Sequence, residues 1–452
     1  MSKSPSNPKG TRDFLPHILS KRNYILDIIK NNFQLFGFSE IETPALEKNS
    51  TLLGKYGNEG DRLVFKILNS GDKIKKANLK AHSENNYSDF IDSVSNKGLR
   101  YDLTVPLARF VAQHQNDLVF PFKRFQIQNV WRADRPQHGR FQEFTQCDAD
   151  VIGTNSILQE IELIKLYDSV FSDLGFEDIV FKINHRSILT ALAKYIGLEN
   201  KLSEFVSSID KIDKIGLDNV LKEVEHLTEN NSISNLSEIL SQEKNNIHHF
   251  DKLFQNISHA KKGIEELQTI LEFICQSSSF KNEIRFDITL ARGLNYYTGT
   301  IVEVISKSDT KIGSLGGGGR YDDLTSLFNF KNASGVGISF GLDRIYLLME
   351  EQNLFPKHID KSFDIIIINF GLKYLKKLYP LIDSLRKNGK KINIYPDNVK
   401  LNKQFSYANK HKVINAIIMG ENEFQKNQII IKNMVDGTQS EYLLSEVNSK
   451  LF

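Results

Sequence analysis

The spacing of hydrophobic positions changes several times along this chain, and each change marks an element. Over residues 16–37 apolar side chains recur at helical spacing (Ile18, Leu19, Ile25, Leu26, Ile28, Ile29, Phe33, Phe36), which predicts one amphipathic helix closing near Gly37. Residues 38–46 read as extended, with Pro44 opposing a central strand. Residues 63–68 read as a strand, and 70–98, rich in Lys, Asn and Ser, as a surface insertion. A short strand over 99–103 then leads to a helix over about 106–115. Residues 122–131 alternate strictly. Phe125, Ile127, Asn129 and Trp131 share one face, and Arg124, Gln126, Gln128 and Val130 the other. Residues 141–152 alternate too, with Gln142, Phe144, Gln146, Asp148 and Asp150 on one face. The loop between these strands carries Arg132, Arg135, His138 and Arg140, so the pair reads as a hairpin with a long basic loop.

Residues 156–174 are predicted helical and 181–184 a strand, while 186–280 are charged, helical and without strand alternation. Strands return over 284–290 and 297–305. Residues 313–319 are glycine-dense, the run Gly316–Gly319 reading as a flexible turn or as backbone open to the close approach of a ligand, and a strand over 335–340 enters a helix near Leu342. After a linker at 356–362 the style changes to strand, helix, strand, helix: 363–370, 373–387 interrupted by Pro380, 391–395, 400–410, then strands at 416–419 and 428–432 and a short helix from Ser440. Consecutive strands in the body predict an α+β core with an antiparallel sheet. The final alternation predicts an α/β domain with a mostly parallel sheet. The expected domains are a catalytic core in two parts, 1–185 and 281–355, a helical insertion at 186–280, and a C-terminal α/β domain at 363–452.

The chain has 452 residues, and roughly 150 residues per domain gives about three domains. Its 40% hydrophobic and 25% charged residues are those of an ordinary globular chain, which excludes collagen and disordered classes. Two cysteines, Cys147 and Cys275, are too few for a disulfide framework and lack the spacing of a structural zinc site. With no apolar run near the ~20 residues of a membrane span and no apolar stretch at the N-terminus, a cytoplasmic location is expected. The net charge of +3 is unevenly spread: residues 363–452 hold 14 Lys/Arg against 8 Asp/Glu. That bias suits a polyanionic partner or a solvated Lys-rich surface.

Several groups of residues carry candidate chemistry. The guanidinium groups of Arg132, Arg135 and Arg140 suit a polyphosphate or a nucleic acid end, or form a solvated loop. Asp102 and Thr104 precede a helix, where either could cap it (Thr104 the better placed) or bind an ammonium group. The hexapeptide RGLNYY, 292–297, sets Arg292 and the pair Tyr296 and Tyr297 beside a turn, facing a ligand or the core. The glycine run fits neither a Rossmann nor a P-loop pattern. Arg344 stands in the first turn of a helix, where it opposes the macrodipole. That placement points to a phosphate contact or to a merely exposed side chain.

Together these segments resemble a known family. FGFSEIETPAL (36–46) resembles motif 1 of the class II aminoacyl-tRNA synthetases. WRAD (131–134), its loop and Phe144 resemble motif 2, and GVGISFGLDR (335–344) resembles motif 3. KGTRDFLP (9–16) and RGLNYY resemble the histidyl-tRNA synthetase branch. The resemblance implies a cytoplasmic homodimer that joins L-histidine to tRNA(His), with ATP and Mg²⁺ as the activating substrate and no resident metal. It assigns Arg132 to the α-phosphate of ATP, Arg344 and Arg140 to the γ-phosphate, Phe144 to the adenine, and Asp134 to the nucleotide site. Asp102, Thr104 and Gln146 would hold the histidine ammonium, Asp150 and Tyr297 the imidazole, with Tyr296 in the same pocket. Arg292 would bridge substrate carboxylate and phosphate, acting in catalysis with Arg132. Arg135 and Gln137 would meet the tRNA acceptor end, and the C-terminal domain the anticodon. Asp102, Asp134 and Asp150 each stand where the family commonly has Glu, keeping the charge on a shorter arm. A regulatory paralogue that assists ATP phosphoribosyltransferase resembles the core as well. It lacks the C-terminal domain and usually the arginines that are present here.

Overall fold

A strand with aromatic side chains on one side and charged ones on the other needs two unlike surroundings, and the main sheet supplies them. The computed structural model describes residues 5–54, 61–227, 233–240, 246–291, 297–309, 311–357, 359 and 361–447. Contacts divide the chain into two units. One holds the described residues up to Asp13 together with Ile25–Leu354, and the other holds Phe14–Tyr24 and the described residues from Phe355 onward.

In chain order the strands of the first unit are β1 (Ser39–Glu40), β2 (Leu46–Lys48), β3 (Lys66–Ile67), β4 (Lys97–Leu99), β5 (Phe122–Trp131), β6 (Glu143–Ile152), β7 (Ile179–His185), β8 (Glu283–Phe286), β9 (Thr300–Ser306), β10 (Gly316–Tyr321) and β11 (Gly335–Gly341). The main sheet runs β1-β5-β6-β11-β10-β9-β7-β8. Its inner pairings are antiparallel, and the edge strands β1 and β8 pair in parallel. The expected hairpin is β5–β6, in a register that sets Arg124 opposite Asp150 and Gln126 opposite Asp148.

One face of this sheet is apolar. Phe125, Ala149, Ile338, Phe340 and Val304 are buried there. Phe340 meets Tyr167 and Phe171 of the helix Leu158–Asp173 at ring distances of 4.6 and 5.9 Å, and Phe33 of the helix Pro16–Leu35 at 5.8 Å. Arg320, deeply buried, ties the same face to that helix through Glu160 at 2.5 Å. The opposite face carries Arg124, Gln126, Gln146, Asp148, Asp150 and Ser339, and no helix of apolar residues could cover it without stranding those groups.

Several expectations need correction. The glycine run is not a turn: Gly316–Gly319 open β10, an inner strand between β9 and β11. Bare backbone pairs on both sides, so hydrogen bonds rather than side chains specify the strand. The strand expected over 63–68 shrinks to β3, and the insertion that follows is helical (Leu79–Ser83 and Tyr87–Val94), returning through β4 between β2 and β3. The described residues between 186 and 275 form successive helices from Arg186–Tyr195 to Ser258–Cys275.

The second unit has strands β12 (Ile365–Ile367), β13 (Ile392–Ile394), β14 (Asn415–Ile418), β15 (Gln428–Asn433) and β16 (Gln439–Leu443), in the order β13-β12-β14-β15-β16. The first three are parallel, crossed by the helices Leu372–Lys387 and Leu401–Lys410, and the last two add an antiparallel hairpin. The helix expected from Ser440 is therefore strand β16. Tyr442 alternates inward toward the core and its neighbours outward, a period-two pattern too short to stand out beside the terminal turn. Pro380 lies inside an unbroken helix, with Leu378, Leu381, Ile382 and Leu385 packed against the sheet. That packing outweighs one missing hydrogen bond.

Candidate active site

The polar sheet face is built from backbone register. Residues two apart on β6 point the same way, so Gln146, Asp148 and Asp150 line up in one row. Their partners on β11 are Gly341, Ser339 and Gly337, and on β5 Gln128, Gln126 and Arg124. Small partners make room for large groups. A Cβ on Gly337 would lie 1.9 Å from Asp150 Oδ1, one on Gly335 would lie 2.3 Å from the Tyr321 ring, and one on Gly319 would lie 2.9 Å from the Tyr297 ring. Glycine at these positions lets the carboxylate and both tyrosines lie directly on the main chain.

At the back of the row Arg124, fully buried, places Nη2 2.7 Å from Asp150 Oδ2. The Tyr321 hydroxyl donates to Asp150 Oδ1. Burial raises the Asp150 carboxyl, while Arg124 and the Tyr321 hydrogen bond pull it down. Burial also holds the Tyr321 hydroxyl well above its usual range, with Asp150 adding to the effect. Asp148 is pushed up to about 7: burial is the main cause, Arg124 opposes it, Asp150 and Asp102 reinforce it, and a hydrogen bond from Ser339 opposes it. Ser339 Oγ also accepts from Gln146 Nε2 at 3.2 Å. Asp148 Oδ1 and Gln146 Oε1 are buried without a hydrogen-bond partner among the described residues.

Asp102 enters from the turn before the helix Thr104–Gln113 and is buried. Its Oδ1 accepts from the Val105 amide at 3.1 Å. The capping side chain is thus Asp102 and not Thr104, because Thr104 is already the first residue of the helix and its hydroxyl cannot serve the amides that follow. Thr104 is half-buried at the helix start.

At the front Arg132 donates from Nε to the Tyr101 carbonyl at 3.0 Å, and its guanidinium lies 4.4 Å from the Tyr101 ring centre and 5.1 Å from that of Phe144. These contacts fix where its charge stands. The hairpin loop folds back through a bridge between Gln137 and Arg140, with Gly139 at φ 70°. Arg135, Gln137 and Arg140 are exposed on it, and Asp134 is anchored through its carbonyl, which accepts from Gln142 Nε2 at 3.1 Å. Arg344, in the first turn of the helix Leu342–Glu351, donates to the Ser314 carbonyl at 2.7 Å. It passes close to Gly139 and Gly313, so the loop tip and this arginine are neighbours.

The structure therefore sets Gln146 and Asp150 in one row, brings the charge of Asp102 to bear on Asp148 between them and lays Tyr297 against Gly319. It stacks Arg132 near Phe144 and brings Arg344 beside the loop of Arg140. Arg292 and Tyr296 lie outside the described residues. Sequence reasoning did not select Arg124, Asp148, Tyr321 or Ser339. The alternation placed Arg124 and Asp148 on the polar face, but only register shows them meeting. It also left out Arg12, which stacks 3.2 Å over the Phe141 ring and pairs with Asp343 at 2.8 Å. That residue ties the segment 9–13 to the hairpin and to the helix Leu342–Glu351.

Comparison with known proteins now decides the family. A model of histidyl-tRNA synthetase matches residues 10–345, and one of an anticodon binding domain matches 364–451. The chain belongs to the histidyl-tRNA synthetase family. A histidine–tRNA ligase of Christiangramia forsetii is 48% identical over 447 residues, covering 97% of each chain. That of Flavobacterium johnsoniae is 47% identical, again over 97% of each. Among solved structures, the histidyl-tRNA synthetase from Nostoc sp. PCC 7120 superposes with a TM-score of 0.81 at 26% identity, covering 97% of both chains. A Bacillus halodurans protein described as an ATP phosphoribosyltransferase regulatory subunit/histidyl-tRNA synthetase shares the fold, with a TM-score of 0.71 at 22% identity, over 90% of this chain. Full-length likeness to the ligases, with the C-terminal domain included, favours the synthetase reading over the regulatory paralogue.

Proposed function

We propose that this protein is a histidine–tRNA ligase. The observation that carries the reading is a buried row of acceptors ending at Arg132, beneath a basic loop. The row supplies carboxylates and an amide oxygen for an ammonium and an imidazole, whose nitrogens need partners. Arg132 supplies fixed positive charge where the acceptor row meets the loop.

In the first step a carboxylate oxygen of histidine attacks the α-phosphorus of ATP. The new O–P bond forms as the bond to the bridging oxygen breaks, and pyrophosphate leaves. Such a displacement needs alignment and charge stabilisation rather than a general base. Arg132 faces the α-phosphate, with Arg292 expected beside it. Arg344 and Arg140 hold the departing end, and Phe144 supports the adenine. Mg²⁺ arrives on the ATP phosphates. In the second step the terminal ribose hydroxyl of tRNA(His) attacks the acyl carbon, and AMP leaves. Exposed Arg135 and Gln137 face that end of the tRNA, and the C-terminal unit reads the anticodon through unstacked bases and phosphates. We place the enzyme in the cytoplasm as a homodimer, with the motif 1 segment at the subunit boundary.

Pyrophosphate exchange measured with each amino acid in turn tests the activity. Exchange should depend on histidine, and folded protein without it would overturn the reading. The tRNA role of the C-terminal unit is tested at Arg386, Lys390 and Lys391, which line an open groove of about 770 Å³ along edge strand β13. Lys390→Glu with Lys391→Glu should lower charging of tRNA while exchange stays normal.

A further inference from the structure

The segment KGTRDFLP has no part in the steps above, yet its contacts lead to the nucleotide site. Gly10, at φ 82°, turns its carbonyl onto the return limb of the hairpin loop, where it accepts from the Gln142 amide at 2.9 Å. A Cβ at Gly10 would lie 2.6 Å from Gln142 Cγ, so the segment rests directly on that side chain. Gln142 in turn closes the base of the loop. Its carbonyl accepts from the Arg132 amide at 2.9 Å, and its Nε2 donates to the Asp134 carbonyl at 3.1 Å. Two residues beyond Gly10, Arg12 lays its guanidinium 3.2 Å over the Phe141 ring and places Nη2 2.8 Å from Asp343 Oδ1. Asp343 is buried and directly precedes Arg344 in the first turn of the helix Leu342–Glu351. Arg344 passes close to Gly139 at the loop tip. One guanidinium thus joins the limb of the loop that follows Arg140 to the helix start that carries Arg344.

We propose that Arg12 is a positioning residue for the nucleotide: acting through Asp343 and Phe141, it holds Arg344 and Arg140 at the spacing that the departing end of ATP requires. The inference rests on the ligase reading, in which those two arginines hold that end. Two cations brought together repel, so their approach has to be imposed by the frame around them. Arg12 suits that task. Its charge is neutralised by Asp343, and stacking on Phe141 fixes the plane of its guanidinium, which a flexible ammonium could not match. Both contacts lie at the loop and the helix start and neither lies on the acceptor row of β6. Loss of Arg12 therefore disturbs the far phosphates and spares the amino acid.

Full-length enzyme, wild type and Arg12→Met, is assayed by pyrophosphate exchange, with AMP as a competitive inhibitor against ATP. Methionine keeps an apolar stem over Phe141 and loses the pair with Asp343. KM for ATP should rise at least about fivefold. KM for histidine and Ki for AMP should stay within about twofold, because AMP lacks the two phosphates that Arg344 and Arg140 hold. Asp343→Asn should give the same pattern, and the double variant should be no worse than the stronger single one. A structural role alone would weaken ATP, AMP and histidine together. That result overturns the proposal, as does an unchanged KM for ATP or additive effects of the two substitutions, and in each case the ligase reading stands. Wild-type enzyme without histidine-dependent exchange overturns both. Should the methionine variant not fold, Asp343→Asn, which leaves Arg12 on Phe141, reads the same contact.

Discussion

Replacing Asp148 with Asn should stabilise the ligand-free enzyme above neutral pH. In the folded protein burial moves this carboxyl from 3.8 to about 7. The sign follows from linkage. Between those two values the folded chain keeps a proton that the unfolded chain has released, so the contribution is fully present below pH 3.8. It is lost as pH rises through about 7. At about 1.4 kcal/mol per pH unit, ionising Asp148 in the folded state costs about 4 kcal/mol by pH 8. Asparagine has nearly the same shape and never ionises, so the difference between variant and wild type isolates this one group. Melting curves of both proteins, without histidine or ATP, should coincide near pH 4 and separate steadily above pH 5. By pH 8 the variant should melt about 5–10 °C higher. Curves that stay parallel from pH 5 to 9 would refute the reasoning, because they would show that Asp148 ionises as freely in the fold as in water.

Three further outcomes follow from the same site. Arg124→Met removes the fully buried cation beside Asp150 and should destabilise the first unit by about 3–5 kcal/mol, read by urea unfolding; a loss below about 1 kcal/mol would mean the pair is not desolvated. Gly337→Ala puts a methyl group where Asp150 Oδ1 now stands and should both raise KM for histidine at least tenfold and lower the melting temperature of the first unit; a normal melting temperature would show that the carboxylate is free to move aside. Arg132→Ala should lower the rate of pyrophosphate exchange by about 10²–10³ at saturating substrates. A fall in affinity alone would mean that Arg132 binds the ground state and not the charge that develops on the phosphate.

The hairpin and its basic loop were legible in the sequence because period-two alternation over ten residues admits no helix. So was the helical stretch after residue 186. The glycine strand was not, because a run without side chains has no periodicity to read, and its neighbours in the sheet come from 300–306 and 335–341. The site divides in the same way. Arg132, Arg344 and Phe144 carry local signals, a charge beside a turn or an aromatic at a strand start. Arg124 and Tyr321 meet Asp150 only through the pairing of β5 with β6 and of β11 with β10, contacts that span up to 171 residues. The capping choice at residues 102–104 turned on a single residue of helix start, which propensity does not resolve.

The glycines on this sheet face also decide where specificity can change. At Gly319 and Gly337 the floor under the pocket is main chain, and any added carbon strikes Tyr297 or Asp150. A floor of that kind cannot be re-lined by substitution, since every replacement adds bulk and none adds a new interaction in free space. Under the proposed function, redesign toward another amino acid must therefore work through side chains such as Gln146 and Tyr297, while the glycine floor stays as it is. The enzyme's selectivity is adjustable in breadth and chemistry but not in depth.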